Sequence, residues 1–182
     1  MTTDSLEVRE LLDGDRPWAS ALVARHLGSP RIASRGSVHD SRELRGLVAE
    51  TAGESVGLLQ HRLEDRQCEV VVLIAMARRA GVGRQLVGAI VDLARARGCR
   101  RLWLVTTNDN RGAAAFYRAL GWRQVAVHRG AVREARRLKP EIPELAADGT
   151  PIEDEIEFEL LLDPTPGPRT PSTAQTPRSG GA

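Results

Sequence analysis

An aliphatic stretch followed by glycines and an amphipathic helix constrains the fold of this chain more than any other feature. Residues 70–75 are all aliphatic, and residues 78–84 read Arg-Arg-Ala-Gly-Val-Gly-Arg. Farther along, Leu86, Ile90 and Leu93 recur at helical spacing. Glycines let backbone N–H groups approach an anion, and a helix N-terminus adds partial positive charge. A strand, a glycine turn and a helix in this order therefore predict a phosphate-binding turn.

Two common phosphate motifs are excluded by their spacing. A dinucleotide-binding fingerprint requires glycine or alanine at position 86, where this chain has Leu86. A P-loop requires a Gly-Lys-Ser/Thr triplet, which the chain does not contain. The predicted turn must therefore serve a different phosphate-bearing ligand.

A second strand and helix follow the first helix. Residues 101–106 contain the β-branched and aromatic side chains that are typical of strands. Asn110 is well placed to cap the next helix, and Gly121 is well placed to end it. This helix carries Phe116 and Tyr117 among its apolar residues. The pattern indicates an α/β fold in which strands and helices alternate in this region.

Two motifs in these segments resemble the signatures of one family. The Arg-x-x-Gly-x-Gly pattern at residues 78–83 resembles the acetyl-coenzyme A (acetyl-CoA) signature of the GNAT N-acetyltransferase superfamily. Residues 110–122 resemble its second signature, in which Phe-Tyr-x-x-x-Gly-Phe is usual and Trp122 here replaces the last residue. One helix and one strand separate the motifs, as in the family. The resemblance spans roughly residues 6 to 162.

The resemblance implies a mixed α/β fold with a predominantly antiparallel sheet flanked by helices. In the family, two central strands splay apart and the cofactor lies in the gap between them. The hydrophobic pattern predicts strands over residues 6–11, 44–50, 55–61, 68–75, 101–106, 123–128 and 152–161. It predicts helices over residues 16–27 and 111–120, and between them a helix that follows the glycine turn and ends at about residue 97. Residues 51–54 are predicted to form a hairpin turn, and residues 31–38 a loop or a poor helix.

Length and composition favour one domain, which we place at residues 1–162. Residues 163–182 are rich in Pro, Thr, Ser and Gly and are predicted to be disordered. The chain shows no apolar stretch of about 18 residues and no signal-like N-terminus, so we expect a cytoplasmic protein without membrane contact. Cys68 and Cys99 have no metal or disulfide spacing and are predicted to be reduced core residues, and no metal cofactor is expected.

Charge is distributed unevenly, although the net charge is only +2. Residues 78–101 contain seven arginines and one acid, which suits the phosphates of acetyl-CoA. Residues 141–163 contain nine acids and no basic residue, which would suit a cationic acceptor such as an amine. The alternation of Glu155, Glu157 and Glu159 with apolar residues instead favours a simple solvent-exposed face of a strand.

Two further features concern the acceptor side. Asp154 lies in register with the apolar residues of the last strand, so it is predicted to point inward, where a carboxylate needs a partner or a role in acceptor binding. About twenty residues, 129–150, separate the last two strands, and long connections of this kind are often functional. Their apolar residues Val132, Ala135 and Leu138 predict an ordered lid.

The resemblance also implies the reaction, which is direct transfer of an acetyl group from acetyl-CoA to a primary amine. Tyr117 matches the position of the acid that protonates the CoA thiolate in many family members, although it could instead only pack beside Phe116. Glu69 lies near the position of a catalytic glutamate in several members. His128 could take the proton instead, or it could bind the acceptor. A relay of water molecules to solvent is a further alternative.

By the same resemblance, the backbone of the glycine turn would hold the pyrophosphate of acetyl-CoA. The asparagine of the second motif would hydrogen-bond the pantetheine arm, a role that is compatible with helix capping. The residues implied in cofactor binding are Arg78, Arg79, Gly81, Val82, Gly83, Arg84 and Asn110.

The expected partner is an amine acceptor on a small molecule or a peptide, whose identity stays open. A homodimer is possible, because homodimers are common in the family. The alternative function is a catalytically idle domain that binds acyl-CoA as a sensor or protein-interaction module. Nucleic-acid binding is disfavoured, because aromatic residues make up only 3% of the chain and no recognition motif is present.

Overall fold

One mixed sheet forms the centre of the protein in the computed structural model, which describes residues 5–76 and 81–163. The strands are β1 (Glu7–Glu10), β2 (Arg31–Ser34), β3 (Ser37–Asp40), β4 (Arg45–Thr51), β5 (Glu54–Glu64), β6 (Gln67–Ala75), β7 (Arg101–Thr107), β8 (Arg123–His128) and β9 (Glu155–Leu161). The helices are α1 (Arg16–Leu27), α2 (Val82–Ala96), α3 (Arg111–Ala119) and α4 (Ala131–Ala135), and a 3-10 turn (Asp13–Asp15) precedes α1.

The large sheet has seven strands in the order β1-β4-β5-β6-β7-β9-β8, while β2 and β3 form a separate hairpin. All neighbouring strands in the large sheet are antiparallel except β6 and β7. Helix α2 packs against β1, β4, β5 and β6, and α3 packs against β8. The arrangement confirms the predicted mixed α/β fold with a mostly antiparallel sheet.

Apolar core residues cover both faces of this sheet. On one face, Leu86 and Ile90 of α2 pack in the same cluster as Phe158 of β9. On the other face, Leu22 of α1 packs in a cluster with Leu58 of β5. Full burial of one such side chain contributes about 1.5–3 kcal/mol. The amphipathic pattern of α2 that is visible in the sequence is therefore what holds this helix on the sheet.

A bulge in β6 reverses which side chains face each layer. Gln60 pairs with Val72 and His61 pairs with Val70, so Val71 has no register partner on β5. Val70 belongs to the α2 cluster, whereas Val72 belongs to the α1 cluster. Because every residue in this stretch is aliphatic, the sequence pattern does not reveal the bulge.

Residues 31–38 belong to a β-hairpin, so the prediction of a loop or poor helix is wrong. β2 and β3 pair antiparallel, and Arg35 and Gly36 form the tight turn with φ values of 48° and 76°. Strands of four residues are too short to show a clear alternation of apolar and polar side chains. The other predicted helices and strands are confirmed within a few residues, except that β9 begins at Glu155 rather than at 152.

Two predictions about the chain as a whole can be compared with this structure. Both cysteines are free and buried, as predicted, and burial raises the pKa of the Cys68 thiol to about 12. In the two described ranges, no helix is long and apolar enough to cross a membrane. Residues 164–182, which form nearly all of the predicted disordered tail, lie outside the described residues.

Candidate active site

An open groove of about 700 Å³ borders the N-terminus of α2. Gly81 takes the left-handed backbone conformation just before the helix, with φ of 79°. Gln85 donates the first helical hydrogen bond to the Gly81 carbonyl. The N–H groups of Val82, Gly83 and Arg84 therefore have no partner within the helix. These free donors and the positive end of the helix dipole make the groove suitable for an anion.

Two glycines have close neighbours at this end of α2. Gly57 on β5 lies so close to Val82 that a Cβ at this position would clash with the valine side chain. A Cβ at Gly83 would lie 3.2 Å from Cζ of Phe116 on α3. Any larger side chain at position 83 would therefore extend into the space between α2 and α3. The glycine turn thus provides both free donors and room for a ligand.

A second cavity, of about 250 Å³, lies between β6 and β7. The parallel pairing of these strands runs only from Gln67 and Arg101 to Glu69 and Trp103, after which the strands diverge. This cavity, which we call the gap cavity, extends to Leu27 at the end of α1. The splayed central strands that the family resemblance implies are therefore present.

Tyr117 lies where the groove and the gap cavity meet, because its side chain lines both. Its ring packs edge-on against Phe116, with 5.1 Å between ring centroids, and tilted against Trp122 at 5.3 Å. Burial raises the pKa of the phenol above its ordinary value. The phenol therefore stays protonated near neutral pH, and its ring is fixed by aromatic packing.

Asn110 caps α3, as predicted, because its Oδ1 accepts a hydrogen bond from the N–H of Ala113 at 3.1 Å. The same residue lines both the groove and the gap cavity. The structure thus brings together most of the residues predicted for cofactor binding, while Arg78 and Arg79 lie outside the described residues. Those that line the groove are Gly81, Val82, Gly83, Arg84 and Asn110.

Buried carboxylates occupy the sheet face that lies opposite α2. Glu69, Glu155 and Glu157, which we call the carboxylate cluster, are each only 4% exposed. The side chain of Glu159 on the same strand is 12% exposed. The prediction that the glutamates of β9 form a solvent-exposed face is therefore wrong. It failed because the β2–β3 hairpin, which the sequence did not predict, covers this face.

The turn of the β2–β3 hairpin binds each member of the carboxylate cluster. The Ser34 hydroxyl donates to Glu69 Oε1 at 2.6 Å. The Arg35 backbone N–H donates to Glu155 Oε2 at 3.2 Å, and the Arg35 guanidinium donates to Glu157. A single turn therefore reaches from β6 to β9 across the sheet.

Glu157 is the most extensively paired member of the cluster. His128 Nε2 lies 2.6 Å from Glu157 Oε2, and the guanidinium groups of Arg101 and Arg35 donate to the same carboxylate. Burial by itself raises the pKa of Glu157, but the hydrogen bonds from these partners outweigh burial and hold it below the ordinary value. His128, predicted to contact the acceptor, is thus placed beside this cluster.

Glu69, the predicted base, has partners at both carboxylate oxygens. Oε1 accepts the Ser34 hydrogen bond, and Oε2 lies 3.4 Å from Nη1 of Arg62. Nε2 of His39 lies 3.8 Å from the same Oε2. Glu69 is therefore held by the surrounding side chains, and it lines a separate cavity of about 120 Å³ together with Trp103 rather than the gap cavity.

Asp154 fixes the start of the connection between β8 and β9. Its Oδ1 accepts a hydrogen bond from the Gly130 N–H at 2.8 Å, and its side chain is 23% exposed. It is among the lining residues of neither the groove nor the gap cavity. Asp154 is thus less buried than the sequence predicts, and the structure does not place it with the other predicted site residues.

The connection 129–150 folds back on the end of α1. Val132 and Ala135 are buried, as expected for an ordered segment, whereas Leu138 is 47% exposed. The buried Lys139 donates from Nζ to the carbonyl of Leu27 at 2.8 Å. Because Leu27 lines the gap cavity, this bond fixes one wall of the site.

Sequence reasoning missed the residues that close the site from the hairpin side. Ser34 and Arg35 lie in a segment without a readable pattern, and Glu155 has the alternation of an ordinary amphipathic strand. The one available signal was the dense acidic segment 141–163, which pointed to a charged site without identifying the residues.

Comparison with known proteins places this site in context. Residues 7–122 match the Acetyltransferase (GNAT) family. The uncharacterized protein YdhI of Bacillus subtilis strain 168 is 39% identical over 141 residues, covering 77% of this chain and 88% of YdhI. The structure of an IAA acetyltransferase from Bacillus cereus is similar with a TM-score of 0.66 at 17% identity, covering 87% of this chain and 100% of that chain.

A GNAT family acetyltransferase from Elizabethkingia anophelis, solved with acetyl-CoA bound, has a TM-score of 0.63 at 17% identity. The likeness covers 88% of this chain and 100% of that chain. At such low identity these two structures support the fold, while the family match extends over more than half of the sequence. The glycine turn, the diverging strands and these similarities lead to one conclusion: the chain belongs to the GNAT family of acetyltransferases.

Proposed function

We propose that this protein transfers the acetyl group of acetyl-CoA to a primary amine of a small molecule or a peptide, and that Tyr117 protonates the departing thiolate. The observation that carries the proposal is the position of Tyr117 at the junction of the groove and the gap cavity. Acetyl-CoA would supply the activated acetyl thioester. The protein would then have to bind the phosphates of acetyl-CoA and admit the amine. It would also have to remove a proton from the amine and deliver one to the thiolate.

The groove fits the phosphates of acetyl-CoA. The free N–H groups of Val82, Gly83 and Arg84 point from the start of α2, and glycine at position 83 leaves the necessary space beside Phe116. Arg84 adds a positive side chain at the same place. These residues would hold the pyrophosphate, and Asn110 would hydrogen-bond the pantetheine arm with the amide group that its capping bond does not use.

Tyr117 would act as the general acid. A thiolate leaves more readily when it is protonated, and a buried phenol whose pKa is raised carries its proton at neutral pH. Both cavities reach this one side chain, so an acid there would serve a ligand that passes from the groove into the gap cavity. The proposed role needs the hydroxyl, whereas packing needs only the ring.

The acceptor would enter from the opposite face of the sheet, where the gap cavity reaches Leu27 and Ile32. The predicted base Glu69 and the predicted acceptor contact His128 lie among the polar groups of this face. A buried carboxylate on this face that lacks a cationic partner in the described part of the chain would favour a cationic amine. Asp154 would contribute indirectly, by anchoring the connection that packs on α1.

Free thiol release from acetyl-CoA tests this proposal. The acceptor panel contains propylamine, glycine amide, the tripeptide Ala-Gly-Gly and kanamycin, and product mass identifies the acetylated amine. We expect turnover with at least one acceptor, and Tyr117→Phe should lower kcat by about 100-fold or more. The affinity for acetyl-CoA, measured by calorimetry, should change less than threefold or so in this variant, because the ring is kept.

Each other result has a defined meaning. Equal turnover by Tyr117→Phe would reduce the tyrosine to a packing residue. Acetyl-CoA binding without transfer, even to a wider panel of amines, would favour the idle sensor or interaction module. Failure to bind acetyl-CoA would contradict the proposed use of the groove.

A further inference from the structure

Among the carboxylates on the acceptor face, Glu155 differs from the others in its partners. Its single hydrogen bond among the described residues comes from the backbone N–H of Arg35 to Oε2. By contrast, Glu69 is bonded at both oxygens, and Glu157 contacts two guanidinium groups and His128. Glu155 is therefore a deeply buried carboxylate with no cation in direct contact in the described structure.

Glu155 also lies at the open end of the gap between β6 and β7. It pairs in register with Thr107, and Glu157 pairs with Val105, across β7 and β9. Thr107 and Val105 both line the gap cavity. Directly opposed residues in an antiparallel pair have Cα atoms about 4.5–5.5 Å apart and point to the same face. Glu155 therefore stands one strand away from the cavity wall, on the face from which an amine would approach.

We propose that Glu155 is the proton acceptor for the attacking amine. This inference rests on the proposed acetyl transfer and names a group that the family resemblance does not supply. A carboxylate that is already paired with arginines gains little by taking a proton, because its charge is already offset. Glu155, without such a partner, becomes more stable in the low-dielectric interior when it is protonated.

The charges around Glu155 come from four directions. His128 lies opposite it on β8, Arg35 lies above it in the hairpin turn, Glu69 faces it from β6, and Glu157 follows it on β9. Burial raises the pKa of Glu155 and outweighs the Arg35 and His128 contributions, which lower it, while Glu69 raises it further. The carboxylate is thereby brought toward the range in which a base works near neutral pH.

The proton balance of the reaction is complete with this assignment. The acceptor ammonium gives one proton to Glu155, and the neutral nitrogen then forms a bond to the thioester carbonyl carbon. The carbon–sulfur bond breaks, and Tyr117 gives its proton to the sulfur. The nitrogen loses a second proton to solvent, Tyr117 recovers one from solvent, and Glu155 releases its proton. The net products are the amide, the CoA thiol and one proton.

The test compares Glu155→Gln with Glu159→Gln on the full-length protein. Glu159 is a matched control because it lies on the same face of β9 but pairs with Arg101 and Arg123 at the closed end of the gap. With the same four-amine panel at pH 7, we expect Glu155→Gln to lower kcat by about 100-fold. Glu159→Gln should keep at least about half of the wild-type kcat, and the affinity of both variants for acetyl-CoA should remain near wild type.

A pH profile separates proton acceptance from a structural role. Wild-type kcat should fall on the acid side with one midpoint that is the same for two amines of different basicity, and Glu155→Asp should retain this fall. Glu155→Gln should lose it. Equal kcat in Glu155→Gln, a midpoint that follows the basicity of the amine, or loss of the acid limb in Glu69→Gln instead would overturn the assignment.

A second measurement does not depend on the acceptor. Glutamate labelled with ¹³C at the side-chain carboxyl can be titrated by NMR in the protein with CoA bound. One resonance, absent from Glu155→Gln, should titrate at a higher pH than the other glutamates, and titration at the ordinary value of about 4.3 would overturn the proposal. Wild-type protein that neither binds nor uses acetyl-CoA would instead refute the proposed function itself.

Discussion

The seam between β6 and β7 has a closed end and an open end, and glutamates near these two ends differ in their charge partners. At the closed end, where the strands still pair, Glu159 of the adjacent β9 contacts both Arg101 and Arg123. At the open end, Glu155 receives only the backbone N–H of Arg35 among the described residues. A carboxylate whose charge is offset by arginines thus lies four positions along the strand from one that has no such partner among the described residues.

This difference shows that a buried carboxylate affects folding stability differently at the two ends of the seam. A paired carboxylate is acceptable in a core because its partners offset the desolvation cost, whereas an unpaired one destabilises the folded state. Functional sites commonly retain such costs because a more stable residue would be less reactive. The unpaired carboxylate at the open end, where Tyr117 and the gap cavity also lie, is therefore consistent with the proposed active site.

The largest effect is expected at the open end, in the phosphate groove. Gly83→Glu should weaken CoA binding by more than about 100-fold, or about 3 kcal/mol, because a carboxylate would occupy the space before Phe116 and repel the phosphates. Gly88→Glu is the matched control, since Gly88 is exposed on the same helix with open space around it. Calorimetry with CoA measures both, and similar affinities for the two variants would contradict the groove assignment.

The next prediction contrasts two glutamates of β9 by their effect on stability at pH 7. Glu157→Gln should lower the free energy of unfolding by about 3 kcal/mol, because it leaves Arg35 and His128 without their carboxylate. Glu155→Gln should raise the free energy of unfolding by about 1 kcal/mol, because it removes a desolvated charge. Urea unfolding of both variants checks the opposite signs.

The dependence on pH sharpens this contrast. The lowered pKa of Glu157 means that its stabilising contribution is present above the ordinary carboxyl value of about 4.3 and is lost as pH falls through the folded value. The raised pKa of Glu155 favours the folded state at low pH, and this contribution is lost as pH rises through its folded value. Glu155→Gln should therefore approach wild-type stability as pH falls from 7 toward about 4.3, whereas the deficit of Glu157→Gln should persist down to about pH 4.3 and shrink only at lower pH. A Glu155→Gln curve parallel to wild type above about pH 4.3, or a Glu157→Gln deficit that shrinks there, would argue against these shifts.

At the closed end, removing a partly buried cation should cost more than removing an exposed one. Arg101 bonds Glu157, Glu159 and Gln67, and its side chain is 24% exposed. Arg101→Gln should therefore lower the free energy of unfolding by about 2 kcal/mol. The side chain of Arg123 is 67% exposed, so Arg123→Gln should cost no more than about 0.5 kcal/mol. Equal losses in urea unfolding would show that burial does not distinguish the two pairs.

The smallest effect concerns the helix cap at the open end. Asn110→Ala should lower the free energy of unfolding by about 1 kcal/mol because the Ala113 N–H loses its cap. Asn110→Ser keeps a capping oxygen and should stay within about 0.5 kcal/mol of wild type. Serine lacks the amide proposed to contact pantetheine, so CoA should bind both variants several-fold more weakly. Wild-type CoA affinity in the serine variant would restrict Asn110 to capping.

The groove side of the site could be predicted from sequence because its parts are local. The turn at Gly81 and the cap at Asn110 are set by residues within a few positions, and the amphipathic pattern of α2 shows which side of this helix is buried. The acceptor side could not be predicted, because Ser34 and Glu69 meet only after the chain has folded. Arg35 and Glu155 are still farther apart in sequence.

Most of the helices and strands, the glycine turn and the placement of Tyr117 on α3 follow from the sequence alone, because hydrophobic period, capping and turn chemistry act over short distances. Which carboxylates are buried and which are paired depends on the folded arrangement. Alternation along β9 separates its two faces but cannot show what covers them, and here the β2–β3 hairpin covers the acidic face. Burial and charge pairing depend on neighbours brought together by folding, so the unpaired state of Glu155 follows from packing and not from its sequence context.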